Sequence, residues 1–339
     1  MGKDPPEDGG RWDHGPFLAI LSMMIFGSSF WAIVIALREI PPVTLSFLRA
    51  FIAALFMGAL YLFMGKVLGR RKWLRKETMM RAGLKKRGDL VLVIGTAFFG
   101  TALPNILQNT GMMMMDPSST SSLASLIQGV GPVFTIFLAF IILHEGMDRF
   151  KVTGLVISIP CTIVLTTYRS GGLDLWSGHT LGAVLNLLTA VSYSFAGILL
   201  KKLLDRKADP VALLGLNSAI GAAMIFPVML IFRLLGSERP LTALHLSPTG
   251  FLSLFYLSVC VYAVAAIMWY RVLRSDQLSR VTFYVFLLPV FTVVMGYLLL
   301  DERLDMVQIT AGVILLAGVW ISQRSKKRNI PSLIVPEKA

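Results

Sequence analysis

The 339-residue sequence predicts an all-α membrane protein of ten transmembrane helices, arranged as two inverted five-helix repeats. Three observations predict it. Hydrophobic residues make up 55% of the chain and charged residues only 15%, with a mean hydropathy of +0.71, whereas an average soluble domain is about 25% charged. Apolar runs recur along the whole length, each of the roughly 18 or more residues that a helix needs to cross a hydrocarbon core about 30 Å thick. The sequence also repeats itself at a separation of 157 residues, which divides the runs into two sets of five.

The ten spans fall at about 16–37, 43–65, 89–110, 118–143, 151–168, 180–200, 211–235, 250–271, 279–300 and 306–323. The first repeat is then 16–168 and the second 180–323, with tails at 1–15 and 324–339. The N-terminal tail carries Asp4, Glu7, Asp8 and two prolines, unlike the basic start of a cleaved signal, so the first span is expected to be retained. Formal net charge is +13, which in a soluble chain would suggest nucleic acid. Here the basic residues sit in short loops instead. With the N-terminus inside, 26 of the 32 Lys and Arg lie on the cytoplasmic side, five on the other, and Arg49 lies within a span. That asymmetry predicts an inner-membrane protein with both termini cytoplasmic. The loop 66–87, with Arg70-Arg71-Lys72 and Lys85-Lys86-Arg87, is placed to lie on anionic lipid headgroups. Cys161 and Cys260 both fall inside spans, where packing is the plainer reading and no disulfide framework is expected.

At the 157-residue shift Pro132-Val133-Phe134-Thr135 falls on Pro289-Val290-Phe291-Thr292, Glu145 on Glu302 and Asp148 on Asp305, and ten of the 26 positions in 132–157 are identical. Earlier in each half, Pro42-Val43 and Arg49 correspond to Pro210-Val211 and Asn217 at a shift of 168. An odd number of helices per repeat makes the copies enter the membrane from opposite sides. Inverted repeats of this kind are what carriers use to expose one midplane site alternately to each side.

Gly27-Ser28-Ser29-Phe30-Trp31, Leu48-Arg49-Ala50, Pro132 to Thr135 with Leu143-His144-Glu145, Pro289 to Thr292 with Leu299-Leu300-Asp301-Glu302, and Trp269-Tyr270-Arg271-Val272-Leu273 resemble the paired EamA domains of the drug/metabolite transporter superfamily. The resemblance covers about residues 16–323 and implies a ten-helix carrier, often an exporter of amino acids or other small metabolites. It departs at His144 and Asp301, where the family often has glycine before the motif glutamate, which bears on how tight those two turns are.

Glu145, Asp148, Glu302 and Asp305 stand at the start of the fifth and tenth spans, where an acidic residue caps free N–H groups; gating is the alternative role. Pro132 and Pro289 each remove a helix hydrogen bond at symmetric places, and Pro104 and Pro160 interrupt two further spans, as hinges or as static kinks. Arg49 is the charge well inside a span; it is read as structural or gating, pairing with Glu39 or Asp116, with a substrate carboxylate as the functional alternative. The resemblance supports the structural role, since the family shares an arginine here across many substrates. Substrate-lining candidates are Ser28 and Trp31, Asn105 and Gln108, Ser125 and Gln128 on the polar stripe of the fourth span, Asn186 and Tyr193, Tyr262, and Tyr284. Together they suggest a neutral, amphipathic ligand.

All 19 acidic residues and all four histidines lie in loops, tails or span ends, so no metal site and no cofactor are expected, and facilitated transport or exchange is favoured over obligatory proton antiport. The function expected is an inner-membrane carrier exporting a small amino-acid-like metabolite by alternating access, as a monomer or homodimer and without a nucleic-acid partner. A proton-coupled drug or metabolite antiporter is the alternative. A membrane-embedded enzyme on lipid-linked substrates is the reading from a different class, and it lacks clustered acids at one membrane face.

Overall fold

The computed structural model describes residues 15–67, 87–143, 147–169, 172–206, 208–239, 246–275 and 284–324. Its helices, in chain order, are α1 (Gly15–Leu37), α2 (Pro42–Val67), α3 (Arg87–Ala97, a π-helical turn Phe98–Ala102, then Leu103–Met114), α4 (Thr120–Gln128 and Gly131–Leu143), α5 (Arg149–Thr167), α6 (Gly178–Asp205), α7 (Pro210–Leu234), α8 (Pro248–Phe255, a π-helical stretch Tyr256–Ala265, then Ala266–Ser275), α9 (Leu287–Leu300) and α10 (Met306–Gln323). Eight of the ten are long and apolar enough to cross a membrane alone, and α9 and α10 are shorter apolar helices. Large apolar side chains such as Phe63, Val156, Ile163, Phe251 and Leu298 point outward, as they do where lipid replaces water.

The helix starts are set by local chemistry. Asp148 accepts from Lys151 N at 2.9 Å, Ser177 from Thr180 N at 3.2 Å, Asp209 from Val211 N and Ala212 N at 3.0 and 2.9 Å, and Ser247 from Gly250 N at 3.1 Å. Asp305 opens α10 in a capping box with Gln308. Asp148 and Asp305 are thus N-caps at mate positions in the two repeats.

Packing follows the duplication. Helices α5 and α10, α2 and α7, and α4 and α9 each pack on their own repeat mates, while α3–α6 is matched by α8–α1, α4–α6 by α9–α1, and α2–α8 by α7–α3. Two pairs of residues 157 apart even touch each other: Asn105 Nδ2 donates to Tyr262 Oη at 2.8 Å, and Ser158 Oγ approaches Leu315 O at 3.5 Å. A residue in contact with its own mate lies beside the pseudo-two-fold axis, so that axis passes between α3 and α8 and between α5 and α10.

The structure departs from the sequence expectation in three places. The fourth span is broken at Gly129–Val130, because Pro132 cannot donate to the preceding turn and so starts a new helix at its first turn. The ninth is broken at the mate position, Phe286, ahead of Pro289. The linker between the repeats also holds a two-residue antiparallel ribbon, Tyr168–Arg169 (β1) with Gly172–Leu173 (β2). Residues 276–283, in which the ninth span was expected to begin, lie outside the described residues, as do Glu145, most of the basic loop 66–87 and both tails.

Close approach of α5 and α10 depends on two glycines. A Cβ on Gly154 would collide with Ser322 Cβ and sit 2.6 Å from Gly318 O, and one on Gly318 would sit 2.6 Å from Ser158 Oγ. Small residues four apart let two backbones meet in a membrane, where dispersion rather than the hydrophobic effect holds helices together. Gly154→Leu and Gly318→Leu are therefore expected to destabilise the fold by about 1–3 kcal/mol each, read as a lower melting temperature in detergent. Gly58→Leu, at a position with nothing within 4 Å of its added Cβ, leaves it unchanged.

Candidate functional site

The breaks in α4 and α9 face one another, since a Cβ on Gly129 would lie 3.2 Å from Pro289 Cγ. Beside them a cavity of about 280 Å³ opens between the repeats. Side chains from α1, α2, α3, α4, α6, α7, α8 and the start of α9 line it, and α5 and α10 stand apart as a separate pair. Most of the lining comes from mid-helix positions and from the halves of the helices near one end of the bundle, with Arg49 and Gln108 nearer the other. Met23 of α1, Leu200 of α6, Trp269 and Leu273 of α8, and Val285 ahead of α9 mark that end, the one crossed by the α2–α3, α4–α5, α6–α7 and α8–α9 connections and called here the even-loop end.

The polar wall is built from both repeats. Arg49 Nη1 donates to Asn109 Oδ1 at 3.2 Å, and Asn109 Nδ2 donates to Ser46 Oγ at 2.8 Å, which itself donates to Pro42 O and Asn105 O. The guanidinium lies 5.8 Å from the centre of the Tyr262 ring. Across the axis, Asn217, the mate of Arg49, accepts from Thr96 Oγ1 at 3.0 Å and reaches Tyr270 Oη at 3.4 Å. Further round, Gln128 Nε2 donates to Asn186 Oδ1 at 2.9 Å, and Asn186 Nδ2 is held by Gly182 O. The lining also holds Ser29, Thr96, Thr101, Gln108, Thr135 and Ser194, beside apolar and aromatic side chains that include Phe26, Phe30, Tyr193 and Trp269.

Of the candidates from sequence, Gln108, Gln128, Tyr193, Tyr262, Arg49 and Pro132 come together in this lining. Ser28, Trp31, Asn105, Ser125, Asn186 and Tyr284 lie outside it. Ser28 is bonded to Ile25 O and to Tyr256 Oη, on whose ring Trp31 stacks at 6.0 Å; Asn105 supports Tyr262 from behind; the Ser125 hydroxyl returns to Ser122 O. Arg49 makes no ion pair with Glu39 or Asp116. Thr96, Thr101, Ser194 and Tyr270 line the cavity and were missed. A signal for two of them existed: Thr101 falls on the same helix face as Asn105 and Gln108, and Tyr270 faces Asn217, already marked as the mate of Arg49.

The other end, where α1–α2, α3–α4, α5–α6, α7–α8 and α9–α10 are joined, is the odd-loop end. Three of its carboxylates cap helix starts in the opposite repeat. Glu302, 3% exposed, accepts from Ser121 N, Ser121 Oγ, Ser122 N and Ser122 Oγ at 2.6–2.9 Å, closing the first turn of α4. Glu238 accepts from Val43 N, Thr44 N and Thr44 Oγ1 at the start of α2, where Arg233 also donates to Thr44 Oγ1. Glu39 accepts from Ser247 N at 2.8 Å and from Ser247 Oγ at the start of α8. Asp301, at φ 52°, turns the chain left-handed so that Glu302 reaches α4, and Arg303 N donates to Ser118 O beside it. Glycine takes that conformation without strain, and an aspartate takes it more readily than a β-branched residue.

The Ser247 hydroxyl and amide hold the Glu39 carboxyl below the ordinary carboxylate range. A group whose folded value is depressed stabilises the fold above its unfolded pKa and loses that contribution as pH falls through the folded one. Melting temperature in detergent is expected to decline in acid, below about pH 4, and Glu39→Gln to flatten that part of the profile. At the neighbouring turn, Asp301→Val is expected to lower the melting temperature and Asp301→Gly not to, because a β-branched residue tolerates φ near +52° worst.

Comparison with known proteins adds family context. Residues 14–167 and 180–323 each match the EamA-like transporter family. An "Uncharacterized transporter" of Archaeoglobus fulgidus is 26% identical over 309 residues, covering 90% of this chain and 96% of the relative. A "Probable amino-acid metabolite efflux pump" of Escherichia coli is 26% identical over 313 residues, covering 90% and 93%. A solved crystal structure superimposes with a TM-score of 0.60 at 16% identity over 91% of this chain and 94% of the other, a likeness of fold.

Proposed function

This chain belongs to the EamA-like transporter family and is a multi-pass membrane transporter rather than an enzyme; from that premise we propose that it carries a small amphipathic, amino-acid-like metabolite outward across the cytoplasmic membrane by alternating access. The observation that carries the reading is the cavity at the pseudo-two-fold axis, lined by both repeats at the breaks of α4 and α9. Discontinuous helices at a repeat interface are where carriers of this architecture hold their cargo. The efflux-pump relatives support the amino-acid-like class and the outward direction.

In this reading the structure is the state open toward the even-loop end, which the distribution of Lys and Arg assigns to the cytoplasm together with both termini. The caps made by Glu39, Glu238 and Glu302 form the closed gate. Each crosses from one repeat to the other, so the repeats cannot part at the odd-loop end while all three persist. Arg206 with Asp89 crosses the repeats at the even-loop end. The domain division is 16–168 and 180–323, and Pro132 and Pro289 start the second segments of the two broken helices that flank the cargo.

Counterflow in proteoliposomes tests the function. Vesicles loaded with an unlabelled amino-acid mixture, with all gradients collapsed, are expected to accumulate at least one labelled amino acid transiently, and Gln128→Val to slow that flux at normal expression. No accumulation by folded protein would remove the amino-acid-like reading. For the gate, Gln128→Cys in a background with Cys161→Ala and Cys260→Ala is the reporter. Adding Glu302→Gln is expected to raise its labelling by an impermeant maleimide from the odd-loop face about threefold or more; an unchanged rate would exclude Glu302 from the gate.

A further inference from the structure

Among the described residues Arg49 is the one charged side chain in the lining of the cavity. It is 3% exposed, and the described residues engage it through one hydrogen bond, Nη1 to Asn109; Nε is buried without an acceptor. A guanidinium has five N–H donors and stays charged in proteins. A buried charge of this kind is costly unless paired and hydrogen-bonded, and among the described residues no carboxylate lies against it.

The surrounding polar groups are already committed to holding it in place. Asn109 is tied to Ser46, and Ser46 to the backbone of α2 and α3. The mate position shows what the fold itself needs there. Asn217 occupies the same place on α7, is neutral, and has partners for both ends of its amide in Thr96 and Tyr270. A neutral side chain therefore suffices for packing α2 against α7, and the charge at position 49 exceeds that need.

We propose that Arg49 docks a carboxylate of the transported molecule, which makes the substrate an amphipathic organic monoanion. The carboxylate completes the hydrogen bonding of the guanidinium, whose planar fork fits it in two parallel bonds. The body of the substrate packs on Phe30, Tyr193, Tyr262 and Trp269. Among the described residues the lining holds no carboxylate to receive an ammonium group, so an α-amino group is not required, and deaminated acids are taken as readily as amino acids. A second carboxylate would meet no second cation. The proposal rests on the carrier reading only in taking this cavity as the cargo site, and it replaces the neutral ligand expected from sequence with an anionic one.

Isothermal titration of the full-length protein in lipid nanodiscs tests it without requiring transport. The probes are butyrate, 4-methylvalerate and 3-phenylpropionate, each against its primary amide, with L-phenylalanine alongside 3-phenylpropionate. Acids are expected to bind about tenfold or more tightly than their amides, and 3-phenylpropionate at least as tightly as L-phenylalanine. Arg49→Gln is expected to abolish the difference between acid and amide, and Arg49→Lys to retain part of it. Amides that bind like acids, a difference that survives in Arg49→Gln, or no binding of any acid to folded wild-type protein would overturn the proposal. The wild-type comparison of acid with amide stands even if Arg49→Gln does not fold. Acid binding in nanodiscs without counterflow of that same acid in proteoliposomes of the same purified protein would support this subsite and remove the carrier reading; counterflow indifferent to the carboxylate would do the reverse.

Discussion

A backbone N–H at the start of a membrane helix has no water to turn to once it lies below the headgroups, and each of the first turns must find an acceptor inside the protein. Here that constraint is met in two ways. Helices α5, α6, α7, α8 and α10 carry an acceptor of their own at Asp148, Ser177, Asp209, Ser247 and Asp305. Helices α2 and α4 accept theirs from the other repeat through Glu238 and Glu302, and α8 adds Glu39 to its own serine. Backbone satisfaction at the odd-loop end is thereby bound up with the relation between the repeats.

That coupling bears on the proposed transport cycle. In the alternating-access reading, opening the odd-loop end would expose helix starts now satisfied across the repeat boundary, which would tie the caps to the cavity. The two breaks, at Gly129–Val130 and Phe286, supply the irregular backbone beside the cavity. They lie at mate positions because the prolines that cause them were duplicated with the repeat.

The duplication also makes departures from symmetry informative. Tyr262 and Asn105 are mates in contact, an aromatic on one side of the axis and an amide on the other. Arg49 and Asn217 are mates with different charge and different degrees of satisfaction. Where both copies keep a residue type, as at Asp148 and Asp305, its role is the one each repeat needs to fold. Where they differ, as at Arg49 and Asn217, the fold does not require the residue type of either copy.

The number of spans, their two-repeat order and the caps at Asp148 and Asp305 were legible in the chain, because hydropathy, the 157-residue shift and capping are local or periodic properties. The polar face of the fourth span was legible too, but not which of its members face the cavity: Gln128 does, while Ser125 turns back onto its own helix. The side of α1 that faces the cavity was equally hidden, since Ser28 and Trp31 pack on Tyr256 of α8. Helix rotation depends on neighbours more than a hundred residues away. By itself, then, the sequence determined the membrane architecture and its inverted duplication, for these follow from how many apolar residues stand in a row and how often the pattern recurs. Only the tertiary structure decided that Glu302 caps α4, that Glu39 belongs to Ser247 rather than to Arg49, and that Arg49 reaches the cavity with no carboxylate of the described residues against it, because those facts depend on which distant groups the packing brings within hydrogen-bonding reach.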